Sequence, residues 1–299
     1  MSEERIGFVG LGMMGMPMSR NLVEAGYAVT VFDLDGAAVE AARAFGASPA
    51  SSGAEVAAQS DIIITMVPDS PHVEAAIAGP DGILEGVKAG SVVIDMSTIS
   101  PATGKKMAAL LEEKSVNFVD APVTGGVEGA EAGTLSILVG GNAEAFERTL
   151  PVLNVLGGNV THMGPVGSGH TTKIANQLIG VATLAGISEA FVLAKKAGLD
   201  LQLFFDAVKN GAGRSWALET LGPKILKGDF SPGFMVKHMQ KDLRLAAQLA
   251  ADTGTSIPTT SLIAQLYHSI QAEGPEATNQ GHQALIQAIE KLSNAKARA

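Results

Sequence analysis

Arg5 to Asp33 read RIGFVGLGMMGMPMSRNLVEAGYAVTVFD, and this stretch decides the fold. Ile6, Phe8 and Val9 form an apolar run suited to a buried strand, which breaks into Gly10, Gly12 and Gly15 at GxGxxG spacing. Met14, Met18, Asn21, Leu22 and Ala25 then keep a helical rhythm that Gly26 ends, and Ala28 to Phe32 reads as a second buried strand closing on Asp33. The order strand, glycine turn, helix, strand, acid is that of a dinucleotide-binding unit. Gly10 permits a tight turn, Gly12 lets backbone approach a pyrophosphate, and Gly15 lets helix pack on strand. Leu11, Met13 and Met14 complete the loop, and the helix start turns free N–H groups and a positive dipole end toward the phosphates. Asp33, about eighteen residues past Gly15, is placed to accept from ribose hydroxyls. Its charge, with Asp35 nearby and no Arg following the strand, favours NAD(H) and leaves NADP(H) as the lesser option. A purely structural glycine turn is the rival reading.

Outward from this unit the same rhythm continues. Ala37 to Phe45 is expected as helix, Asp61 to Val67 as a buried strand, and Pro68 to Pro71 as a loop at its carboxyl end. Helix at His72 to Ala78, strand at Ser91 to Asp95, helix from Pro101 to Glu113 and strand at Asn117 to Val119 follow. Leu135 to Val139 and Val160 to His162 complete the strands, with a helix at Ala143 to Leu156 between them. This predicts an α/β fold with an N-terminal Rossmann-type, doubly wound parallel sheet over residues 1–163. From 164 to 299 only helical patterns remain: about Thr171 to Gly198, Gln202 to Val208, Ser215 to Leu226, Val236 to Thr253, Pro258 to Ala272 and Gln280 to Leu292. The second part is therefore expected to be an all-α substrate and dimerisation domain that begins with a long interdomain helix.

Composition narrows the functions. The 299 residues suffice for two domains, and 46% hydrophobic residues with 35 Gly suit a compact α/β protein. A net charge of -9 without a basic block argues against nucleic acid or anionic membrane as partners. There is no Cys, which removes thiol nucleophiles and agrees with the cytoplasm. MSEER runs directly into the first strand, so no signal peptide is expected. The six His stand at no metal-ligand spacing, and no metal site is expected. Leu178 to Ala194 is apolar nearly all round; Ser188, Glu189, Lys195 and Lys196 favour a helix covered by protein over a membrane span. That covering, by both domains or by another subunit, predicts a homodimer or homotetramer.

The start of this helix reads GSGHTTKIANQ, Gly167 to Gln177. Lys173, Asn176 and Gln177 share roughly one face at i+3 and i+4 spacing. From spacing alone a surface lysine is the simpler reading, although a cation in a first turn opposes the helix dipole. His170 is expected in a capping or surface role as readily as near a ligand. Trp216, the single Trp, is expected in a core or interface, with Arg214 beside it. Asp242 is expected either to orient a lysine or to lie on a solvated helix face.

Four blocks carry a resemblance: GLGMMGMPMSRNL at Gly10 to Leu22, DAPVTGG at Asp120 to Gly126, GSGHTTKIANQ, and KDLRLA at Lys241 to Ala246. In this order they resemble the signature blocks of the β-hydroxyacid dehydrogenases over essentially the whole chain. The resemblance implies that Lys173 is the catalytic acid, protonating an aldehyde oxygen as hydride arrives and taking the proton back in oxidation. It implies a substrate-carboxylate turn at Thr124, Gly125 and Gly126, substrate contacts from Asn176 and Gln177, and cofactor contacts from Val67, Pro68, Thr98 and Lys241. The implied substrate is a small semialdehyde or hydroxyacid. The form of Asp61 to Pro101 and KIANQ point to reduction of tartronate semialdehyde to glycerate; Asp33 and the GRSW of Gly213 to Trp216 point to oxidation of 3-hydroxyisobutyrate or 2-(hydroxymethyl)glutarate. Two positions depart from the family pattern, Thr124 for the usual Ser and Gln177 for a frequent Asn, and both bear on substrate size. A catalytically silent NAD-binding protein is the rival of a different class.

Overall fold

The computed structural model describes residues 4–299. They form two compact units, one ending at Lys173 and the other running from Ile174 to Ala299. The division falls inside the long helix, not ahead of it at 163/164.

The first unit is built on one sheet: β1 (Ile6–Val9), β2 (Val29–Phe32), β3 (Ser48–Pro49), β4 (Ile62–Thr65), β5 (Val92–Asp95), β6 (Asn117–Asp120), β7 (Val123–Thr124), β8 (Leu135–Gly140) and β9 (Gly157–Gly164). The order β3-β2-β1-β4-β5-β6 is parallel throughout and is that of a doubly wound dinucleotide-binding sheet. Beyond it the pattern departs from the all-parallel expectation. β6 and β7 both lie antiparallel to β8, and β9 adds a parallel edge. Around the sheet lie α1 (Gly15–Glu24), α2 (Gly36–Arg43), α3 (Gly53–Gln59), α4 (Ser70–Ala78), α5 (Ile83–Gly86), α6 (Pro101–Glu112), α7 (Gly126–Ala132) and α8 (Ala143–Leu156).

Strands buried on both faces explain the continuous apolar runs. Ile62, Ile64, Val92 and Ile94 point into one core with Phe8, Met18 and Leu22, whereas Ile63 and Val93 point into the other with Val56, Val73 and Ile77. Successive residues thus feed opposite layers. At the outer ends of two neighbouring strands, Arg5 grips Asp61 through a fork of 2.7 and 3.0 Å, and this holds the Asp61 carboxyl at about 2.

The second unit is helical: α9 (Ser168–Lys196), whose first residues belong to the first unit, then α10 (Leu201–Val208), α11 (Trp216–Lys227), α12 (Val236–Thr253), α13 (Pro258–Gln271), α14 (Pro275–Thr278) and α15 (Leu285–Ser293). By length and composition alone α9 could cross a membrane. Val181, Leu184, Phe191 and Val192 instead fill the helical core with Leu221, Met239 and Tyr267. The expected covering on several sides is not met within the single chain, because Ile179 and Leu193 stand 71% and 72% exposed. Trp216 is 67% exposed, so it is no core residue of this chain.

Tyr267 anchors that core, its hydroxyl donating to the His282 carbonyl at 2.8 Å, while the His282 ring lies 3.2 Å from the Phe234 carbonyl. Burial pushes the His282 pKa down from 6.5 to about 4. A pKa lowered by folding means that its stabilising share is complete above pH 6.5 and is lost as pH falls toward 4. Urea unfolding should accordingly show about 2 kcal/mol of acid-linked loss between pH 7 and pH 5, and His282→Gln should remove most of that pH dependence. An equal pH slope in the variant would place the loss elsewhere.

Candidate active site

Except for Lys241, which lies on α12 in the second unit, the predicted cofactor residues collect at the carboxyl ends of β1, β2, β4 and β5, where strand order reverses about β1 and β4. Each glycine of the loop has its own reason. Gly10 leaves β1 at φ +101°, and a Cβ there would collide with the Met66 carbonyl oxygen after β4. A Cβ on Gly15 would collide with the carbonyl oxygen of Gly10, so this glycine serves the turn itself. Around Gly12 a Cβ would meet nothing within 4 Å. That open, exposed backbone, at the start of a helix with no side-chain cap and no acid in its first turn, fits a pyrophosphate. Leu11 is buried beneath the loop, Met14 is half-buried and Met13 exposed.

Asp33 is tied into the loop more closely than the motif implies. Its Oδ2 accepts the Leu11 N–H at 2.6 Å and its Oδ1 the Asp35 N–H at 2.8 Å. The carboxylate is therefore oriented before any ribose arrives, with lone pairs to spare. Farther along the sheet, the Val67 N–H donates to Ser97 Oγ at 3.0 Å and binds the loop after β4 to that after β5. Pro68 is exposed and Thr98 half-buried on these two loops.

Thr124 ends β7 opposite Ser136, and Gly125 follows at φ +134°, a conformation strained for any side chain. Its Cβ would press on Leu135, whereas the space beside Gly126 is open. The expected turn is thus the entry to α7, with Gly125 and Gly126 both exposed.

Lys173 is 6% exposed and sits in the second turn of α9, so the surface reading fails. The helix start is capped from a distance: Asp120 at the end of β6 accepts the Gly167 N–H at 2.7 Å and the His170 N–H at 2.8 Å. His170 is itself fully buried, which overturns a surface role, and its Nε2 lies 3.1 Å from Asp95 Oδ2. The sequence assigned neither acid a role, although each ends an apolar strand, VVID and NFVD, and Asp120 opens DAPVTGG.

Asn176 and Gln177 follow on the same helix and belong to the second unit. The Gln177 amide donates to Asp242 Oδ2 at 2.6 Å, and Lys241 Nζ lies 3.2 Å from Asp242 Oδ1. Asp242 is buried, so it orders both neighbours and is no part of a solvated face. Lys241 is only partly exposed.

Residues 5–164 match the NAD binding domain of 6-phosphogluconate dehydrogenase, and residues 167–289 match the NAD-binding region of NADP-dependent 3-hydroxyisobutyrate dehydrogenase. Over 271 residues the chain is 42% identical to 2-(hydroxymethyl)glutarate dehydrogenase of Eubacterium barkeri, with 90% of each protein covered. Against 2-hydroxy-3-oxopropionate reductase of Escherichia coli K12 it is 39% identical over 292 residues, covering 98% of this chain and 99% of the relative. The chain belongs to the β-hydroxyacid dehydrogenase family. A solved structure of Mycobacterium tuberculosis 3-hydroxyisobutyrate dehydrogenase with L-serine agrees with this dehydrogenase at a TM-score of 0.88 and 35% identity, covering 96% of this chain and 99% of that one. β-Hydroxyacid dehydrogenases act on small hydroxyacids, and the matched domains support a nicotinamide cofactor here.

Proposed function

We propose that this dehydrogenase reduces a small carboxylate-bearing semialdehyde with NADH, tartronate semialdehyde to glycerate in the first place, and that Lys173 supplies the proton. The observation that carries the reading is a lysine buried on a tertiary-capped helix, in a chain whose dinucleotide loop is intact. NAD(H), when bound, would be held by the backbone of Gly10 to Gly15 and by Asp33, and supplies or accepts hydride. Lys173 Nζ gives its proton to the carbonyl oxygen, which becomes the hydroxyl, and takes it back in the oxidation direction. Its positive charge also favours the oxygen as negative charge builds there. Thr124, Gly125 and Gly126 hold the substrate carboxylate, and Asn176 and Gln177 set the room left for the rest of the molecule.

Similarity to the Escherichia coli 2-hydroxy-3-oxopropionate reductase supports this substrate. The higher identity to 2-(hydroxymethyl)glutarate dehydrogenase supports a second reading, in which the same residues serve a longer hydroxyacid. Nicotinamide absorbance, followed with NADH and NADPH against tartronate semialdehyde, methylmalonate semialdehyde and 2-formylglutarate, separates them. Fast turnover of the first with NADH upholds the proposal, a different preference moves the substrate within the family, and no turnover with any favours a silent NAD binder.

NAD(H) is preferred because the Asp33 carboxylate, fixed by two backbone N–H groups, would stand against a 2'-phosphate. Asp33→Ser should raise the ratio of NADPH to NADH efficiency by about tenfold or more. An unchanged ratio would mean that the discrimination lies elsewhere.

A further inference from the structure

At the carboxyl ends of β5 and β6 the first unit holds a buried polar cluster. His170, Asp95 and Asp120 all have fully buried side chains. The His170 ring reaches Asp95 through Nε2 at 3.1 Å, and its Nδ1 faces Asp120 Oδ2 at 3.7 Å. Asp95 Oδ1 in turn accepts the Thr65 hydroxyl at 2.7 Å and the Ser97 N–H at 3.3 Å, and Ser97 Oγ accepts from Val67. A continuous chain of hydrogen bonds therefore runs from the loops after β4 and β5, through Asp95 and His170, to the first turn of α9. The cluster has no slack: a Cβ on Gly104 would lie 2.9 Å from His170 Nδ1, and one on Gly169 2.9 Å from Asp120 Oδ2.

Burying two carboxylates is costly, and a core that only needed stability would do as well with apolar side chains. What the cluster gains is position. Asp120 fixes the start of α9 along the helix axis by holding its N–H groups, but both bonds go to one carboxylate close to the axis and so hold rotation about it with little leverage. The His170 side chain, pinned to Asp95, removes that rotation. Lys173 lies three residues on, on the neighbouring surface of the same turn.

We propose that His170 is a positioning residue: through Asp95 it sets the rotation of the first turns of α9, and so the place of Lys173 Nζ relative to the loops that carry Pro68 and Thr98. The proposal rests on Lys173 as the proton donor, and its test is built to fail separately from that reading.

His170→Leu, His170→Gln, Asp95→Asn and Lys173→Ala are compared with the parent by kcat and KM for the best semialdehyde at saturating NADH, by NADH affinity from nicotinamide fluorescence, and by amide exchange over residues 167–173. Gln keeps an amide that can donate to Asp95 from near the place of Nε2. His170→Leu should lower kcat by about 10- to 100-fold, since displacements of about an ångström cost rates of that order. KM and NADH affinity should stay within about threefold, and exchange over 167–173 should quicken by about tenfold or more. His170→Gln should restore kcat to within about fivefold of the parent. Should His170→Leu not fold, Asp95→Asn serves in its place, with a kcat loss of the same order and no further loss when combined with His170→Gln.

A folded His170→Leu protein with kcat within about twofold of the parent overturns the proposal. So does a lowered melting temperature with kcat intact, which would make the cluster a stability device only. If Lys173→Ala keeps full kcat, the proton-donor reading falls instead, and the exchange measurement still decides whether His170 fixes that turn.

Discussion

Lys173→Ala should lower kcat/KM by about a thousandfold while NADH binding stays within about threefold of the parent. The size follows from two roles joined in one ammonium: general acid catalysis contributes about 100- to 10,000-fold, and a charge placed against a developing oxyanion adds to it. The sparing of cofactor affinity follows from geometry, because the glycine loop and Asp33 leave β1 and β2, whereas Lys173 belongs to α9. Steady-state rates with the preferred semialdehyde and a fluorescence titration with NADH check both halves. Retained turnover would remove the lysine from the chemistry. Loss of NADH binding in step with turnover would make it a cofactor ligand instead.

The second large effect separates the glycines of one motif. Gly15→Ala should destabilise the first unit by about 2 to 3 kcal/mol, since the new methyl group meets the rigid carbonyl of Gly10 and the loop must open to admit it. Gly12→Ala should leave the urea midpoint unchanged, because that methyl group enters open space. Yet it should weaken NADH binding by about tenfold or more, because the space is where a pyrophosphate would lie against backbone. Equal loss of stability in both variants would mean that the motif serves the fold alone. Equal loss of NADH binding with stability intact in both would mean that the loop is softer than its packing implies.

What the sequence disclosed and what it hid divide along a physical line. Strands β1, β4 and β5 are buried on both faces, so their apolar runs are unbroken, and the loops at their ends follow from strand order. Helix α3 and strand β3 were missed because about two helical turns and a single strand alternation are too short for a periodic pattern to stand out. The antiparallel turn of the chain at β7 and β8 depends on pairing between strands, which no local pattern encodes. At the site, motif spacing placed Gly10, Gly12 and Gly15 on the turn from β1 into α1, because each answers to local geometry, whereas spacing alone favoured a surface position for Lys173, which is buried. It could not show that His170 is buried against Asp95, which is 75 residues away in the chain. Nor could it decide between orienting and solvated roles for Asp242, whose burial depends on how α9 and α12 pack within the second unit. For Trp216 the sequence offered a core or an interface, and its exposure in a single copy of this chain removes the core alone.

The sheet of the first unit ends in two very different ways. On one side β3 offers two residues, the second of them Pro49, which has no N–H to give to a stranger. On the other, β9 offers eight residues paired only with β8. Its exposed residues, Gly158, Asn159, Thr161, His162 and Met163, include no lysine, acid or proline to deter pairing. Any strand-to-strand association of this sheet should therefore start at Gly157–Gly164, and a lysine introduced there should do more for solubility than one at β3.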